Sequence, residues 1–173
     1  LAFTGIFSVF MDLGLNTLTI REVARDKILG KDYVNNITVI KIILAIITFL
    51  LMFIIVNLLG YNQQTMQVVY LITLYTIFNT FSLLFYAIFQ AHEKMEYQSI
   101  GTILSSVLLF VGVFVAIYFK LNIVNFSLIY VVSGASILIY AVLMYSQKFS
   151  LPKMNFNIIL WKKLIRESWP FAV

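Results

Sequence analysis

Asp12 is the first residue in the chain able to do chemistry, and it stands inside an apolar run. In the stretch "FSVFMDLGLNTLTIREVARD" no charge precedes it, and the next is Arg21. Thr4, Ser8, Asp12, Asn16 and Thr19 recur at spacings of four, four, four and three, which is one side of a helix. A carboxylate in hydrocarbon is tolerated when it is paired, wetted or protonated. The functional reading puts Asp12 on a hydrated path, where it binds substrate or a coupling cation. The structural reading bonds it to a neighbouring helix, or has it cap a local break at Gly14. The apolar runs hold no obvious buried basic partner. Lys41 lies near the end of its run and is expected to snorkel to the interface.

A second stripe, Tyr75, Asn79, Ser82, Tyr86 and Gln90, has the same helical spacing. Hydroxyl and amide side chains either line a wet cavity or hold helices together. Thr38, Lys41, Ala45 and Thr48 form a weaker stripe, and Tyr130, Ser133 and Tyr140 another. Gly101, Ser105, Gly112 and Ala116 read as a packing seam of small residues. Arg21, Arg25 and Lys41 are the candidate cations at a cytoplasmic entrance.

Catalytic constellations are missing. Cysteine is absent and His92 is the single histidine, so neither a thiolate nucleophile nor a histidine pair for a metal exists. There is no P-loop, GxSxG or HExxH pattern. Glu93 and Glu96 sit in a charged connection and read as a solvated turn. The chain reads as a non-enzyme, with no cofactor and no metal.

The elements that must position these residues follow from composition. Hydrophobic residues make up 62% and charged residues 11%, against about 45–50% and about 25% in soluble domains. A chain of 173 residues cannot bury that much apolar surface from water, so lipid is the main solvent. The basic balance, net +5, fits loops beside membrane spans rather than nucleic acid. Five runs are long enough to cross a bilayer: 1–20, 37–59, 66–91, 100–119 and 126–145. A β-barrel would show short alternating segments instead. Residues 148–169 read as a cytoplasmic amphipathic linker. In it Ile158, Trp161 and Ile165 share one side, and Lys162 and Arg166 stack on another. A further helix is expected to start at Pro170, within 170–173, and the chain reads as a piece of a longer protein. The expected fold is all-α, a polytopic helical membrane bundle.

The connections set an orientation. Of the 12 Lys and Arg, all except Lys120 fall in the loop after the first span with the start of the second, in "HEKME", or in the tail after the fifth span. Those segments alternate consistently onto one side. Positive charge stays in the cytoplasm, so Leu1 starts outside, and "GYNQQT" and "KLNIVN" face out.

Two stretches carry a resemblance. "FSVFMDLGLNTLTIREVARD" resembles the second helix and following loop of polysaccharide biosynthesis/export proteins, the flippases of lipid-linked oligosaccharides. "FYAIFQAHEKMEYQSI" resembles the end of their fourth helix and the turn into the fifth. The family is part of the multidrug/oligosaccharidyl-lipid/polysaccharide exporter superfamily. The resemblance implies the N-terminal lobe of a two-lobe transporter, with the five spans as helices two to six and the basic tail as the linker between lobes. It implies movement of an undecaprenyl-diphosphate-linked oligosaccharide across the cytoplasmic membrane by alternating access. The partners would be membrane lipid, the lipid-linked substrate and a coupling cation, H+ or Na+. Ser8, Asp12, Asn16, Tyr75, Asn79, Tyr86 and Gln90 would line the substrate path. The second reading is a drug/cation antiporter of the same superfamily, with Asp12 as its cation site. A third, a membrane-embedded glycosyltransferase or polymerase, would need a soluble catalytic loop.

Overall fold

The computed structural model describes residues 9–149 and 157–171. Thr4, Ser8 and the rest of 1–8, the linker residues 150–156, and 172–173 lie outside that set. The described chain is helical, with no strand among the described residues. Residues 9–12 form a helical turn. After it come α1 (Leu15–Arg25), a 3-10 turn (Lys27–Leu29), α2 (Gly30–Leu58), α3 (Gln63–Ala91), α4 (Met95–Tyr118) and α5 (Ile123–Lys148). The amphipathic α6 (Ile158–Ser168) follows, and then a 3-10 turn (Trp169–Phe171). Four helices, α2 to α5, are long and apolar enough to cross a membrane.

The starts of the helices are set by side chains. The Asn62 and Asn122 carboxamides accept the N–H groups of Thr65 and Asn125, which caps α3 and α5. In α2 the helix runs seven residues further back than the apolar run that begins at Ile37, to Gly30. The extra turns carry Tyr33, Asn35 and Asn36, all buried. Polar residues survive there because neighbours satisfy them. Asn36 donates to the Asp32 carbonyl, and its own Oδ1 accepts from the Trp161 indole and the Asn157 backbone of the α6 segment.

α3 is the hub of the bundle, packing most extensively against α5 and also against α1, α2 and α4. The α2 face buried on the bundle steps by three and four through Ile37, Lys41, Ala45, Thr48, Met52 and Val56. Its other side, Ile43, Ile46, Ile47, Leu50, Phe53 and Ile54, stays exposed, as a surface in lipid must. The small residues of α4 do pack. A side chain at Gly101 would collide with Tyr86, and one at Gly112 with Ile129. Ser105 and Ser133 lie 3.3 Å apart across α4 and α5. The core sits at the end of the bundle where α1, the start of α2 and the ends of α3 and α5 meet, around Val34, Leu84, Phe89, Ala141 and Tyr145.

α6 docks on this end rather than standing off. Leu164 and Ser168 are buried, and Leu160 and Trp161 pack on the core. The expected side made of Ile158, Trp161 and Ile165 is therefore divided. Trp161 turns inward to Asn36, while Ile158 and Ile165 stay exposed beside Lys162 and Arg166.

Candidate functional site

The first expected span is not one helix. Leu13 and Gly14 both have positive φ, 46° and 73°, so the helical ladder stops after Asp12 and restarts at Leu15. Glycine is required at the second of these positions. A Cβ on Gly14 would lie 2.5 Å from the Ser168 carbonyl oxygen and 2.8 Å from Phe171 Cβ. The end of α6 is thus pressed into the break. Irregular backbone at membrane depth is tolerated where protein or a wet cavity covers it; here the end of α6 packs on the break and a cavity adjoins it.

Asp12 ends the helical turn before the break, and α2 and α3 supply its surroundings. Lys41 Nζ donates to Asp12 Oδ1 at 2.8 Å and to the Thr80 carbonyl at 3.2 Å. Lys41 does not snorkel: its side chain is 1% exposed, against 27% for Asp12. The reason lies in the start of α2. With the helix beginning at Gly30, Lys41 is about 16 Å along it, too deep for its ammonium to reach the interface. An ion pair forms although hydropathy marks no buried base here. Burying both charges together is tolerable when each also finds hydrogen bonds, and the Thr80 carbonyl supplies one.

Beside the pair lies a cavity of 270 Å3 lined by Asp12, Asn16, Asn79, Thr80, Leu83 and Phe171, among others. Asn16 Oδ1 is buried there without a hydrogen-bond partner. The cavity is therefore lined by a carboxylate and two carboxamides against an apolar wall. Such a set hydrogen-bonds a neutral polyhydroxylated group. Among the described residues no group of carboxylates or imidazoles could hold a metal ion.

Asp12, Asn16 and Asn79 are thus brought together, as their stripes would need. Ser8 lies outside the described residues. Tyr75, Tyr86 and Gln90 do not line this cavity. Tyr75 meets Tyr130 edge to face at 5.6 Å, the buried Tyr86 packs against Gly101, and Gln90 Nε2 donates to Gln98 at 2.6 Å. Arg21 bonds Glu22 at 2.8 Å and stacks over the Phe171 ring, and Arg25 is exposed at the end of α1. Thr80 and Phe171 were not legible as site residues. Thr80 contributes a backbone carbonyl, which any residue carries, and Phe171 arrives from the far end of the chain.

Residues 1–173 match the family described as polysaccharide biosynthesis protein. Comparison with curated proteins gives no match, and comparison with solved structures gives none. The family match spans every helix described above, including the four that can cross a membrane. The chain accordingly belongs to the polysaccharide biosynthesis/export family of multi-pass membrane transport proteins.

Proposed function

We propose that the protein is a flippase that carries a lipid-linked oligosaccharide from the cytoplasmic to the outer leaflet of the cytoplasmic membrane by alternating access. No covalent bond is made or broken. The observation that carries this reading is the ion pair. An antiporter needs an acidic group free to take up H+ or Na+, and Asp12 already holds the Lys41 ammonium at 2.8 Å. What remains beside the cavity is hydrogen-bonding capacity: Asn16, whose Oδ1 has no partner, Asn79 and the outer edge of Asp12. Sugar hydroxyls fit those groups, and the lipid tail would stay in the bilayer against the apolar faces of the bundle.

The supporting arrangement is the uneven charge. The turn at Lys27–Leu29, the turn after α3 and the end of α5 share one end of the bundle, where Lys94 stacks on Phe149 and Lys148 on Tyr97. That end is cytoplasmic in this reading.

Proteoliposomes holding the full-length protein and a fluorescent polyprenyl-diphosphate oligosaccharide provide the test. Movement between leaflets is read by access of an added glycosidase. The expected result is protein-dependent movement that Asn16→Leu and Asn79→Leu slow. Gradient-driven uptake of a cationic dye, with no movement of the lipid-linked sugar, would overturn the reading in favour of the antiporter.

A further inference from the structure

A second recess, of 310 Å3, begins at Ile88, about 14 Å further along α3 than Asn79, at the basic end of the bundle. It forms where the 3-10 turn, the first turn of α2 and the ends of α3 and α5 meet. Lys27 and Lys31 stand on its rim, and Ile88, His92, Tyr145 and Phe149 form its floor. The transport reading makes no use of it.

Its charges are uncommitted. Lys27 and Lys31 are exposed, one helical turn apart, and neither enters an ion pair among the described residues. The adjacent Asp26 does not neutralise them by a salt bridge: its Oδ1 accepts the Ile28 N–H of its own turn. His92 is fixed in place. Its Nδ1 lies 3.0 Å from the Ile88 carbonyl, which can only accept, so Nδ1 carries the proton. Its ring also meets the edge of Phe149 at 4.6 Å. Nε2 is left free to accept from a protonated ligand oxygen.

The recess is also amphipathic. Its floor is an aliphatic residue and two aromatic rings, and at its rim Ile28 is 86% exposed. Water alone gives no reason to hold an isoleucine out beside two lysines. A ligand with an anionic head and a hydrocarbon tail satisfies both, and basic pockets between membrane helices take phosphate headgroups in this way. We propose that this recess binds a phosphate group, that of an anionic phospholipid whose chains run past Ile28.

Native mass spectrometry of the full-length protein in detergent, with added phosphatidylglycerol or phosphatidylcholine of the same chains, tests the assignment. The wild type is expected to retain phosphatidylglycerol preferentially. Lys27→Gln with Lys31→Gln should weaken that binding about 25-fold, at about fivefold per lysine. Lys162→Gln with Lys163→Gln removes the same charge from α6 and should leave it unchanged. Inorganic phosphate separates the sources. Displacement of the lipid by millimolar phosphate assigns the site to the phosphate group alone. Retention against it assigns the site to the whole lipid. Equal retention by wild type and the Lys27/Lys31 variant, or equal loss in both double variants, overturns the proposal. Should the Lys27/Lys31 variant fail to fold, a photoactivatable phosphatidylglycerol reads the wild type directly. Adducts on the segments around Ile28 and His92 support the site, and adducts only elsewhere overturn it.

Discussion

Lys41 Nζ lies 2.8 Å from Asp12 Oδ1, and the pair is unequally buried: the lysine side chain is 1% exposed and the aspartate 27%. The two charges are therefore not equivalent under substitution. Asp12→Asn leaves a buried ammonium with neutral acceptors alone, the carboxamide Oδ1 and the Thr80 carbonyl, and the expected loss is about 3–5 kcal/mol. Lys41→Met strands a carboxylate that the cavity can wet, and should cost less. The double variant removes both charges and should recover most of the stability. Thermal unfolding of the detergent-solubilised full-length protein checks the order. A larger loss for Lys41→Met than for Asp12→Asn would contradict the burial argument.

Gly14→Ala should undo the docking of α6. The left-handed backbone alone costs a residue with a Cβ about 1–2 kcal/mol, and the new carbon would press on Ser168 and Phe171. The expected outcome is a lowered Tm, together with faster tryptic cleavage at Lys162, Lys163 and Arg166. Unchanged cleavage at those sites would mean that the break closes without the contact.

The cavity predicts a contrast within α3. Asn79 lines it, while Ser82, less than one turn on, is fully buried and donates to the Phe78 carbonyl. A cysteine at 79 should react with a water-soluble thiosulfonate in intact vesicles, and a cysteine at 82 should not. Equal protection at both positions would make the recess a dry packing defect.

Orientation is tested from outside the cell. Tyr61→Cys and Lys120→Cys, in the turns at the lysine-poor end, should label with an impermeant maleimide in intact cells. Glu96→Cys, in the first turn of α4, should label only after lysis. External labelling at position 96 would invert the topology.

Much of the helical plan is visible in the chain because hydropathy is a local property. Any 20-residue apolar run meets the same solvent wherever its neighbours sit. The boundaries are less visible where tertiary partners override hydropathy. Tyr33, Asn35 and Asn36 look like the end of a span, yet the helix runs through them because α6 supplies hydrogen bonds to Asn36. The same displacement carries Lys41 into the interior. Trp161 was misplaced for a related reason. Periodicity identifies the apolar strips of α6, but α6 has two, and only the bundle beneath decides which one is covered.

Sequence by itself determined that this is a helical membrane protein, that its positive charge is gathered into alternate connections, and that Asp12 and Asn16 are polar positions within an apolar run. Each follows from residue type and local hydropathy. Tertiary structure decided what those residues do. The pairing of Asp12 with Lys41 spans 29 residues and depends on a break at Leu13 and Gly14 that turns the carboxylate toward α2 and α3. Of the stripe Tyr75, Asn79, Ser82, Tyr86 and Gln90 on α3, Asn79 reaches the cavity while Tyr75 and Tyr86 pack against α5 and α4. The physical reason is that lipid offers polar groups no partners, so they are driven toward the interior of the bundle. That requirement can be read from the sequence; which partner meets it depends on how the helices are rotated and where one of them breaks.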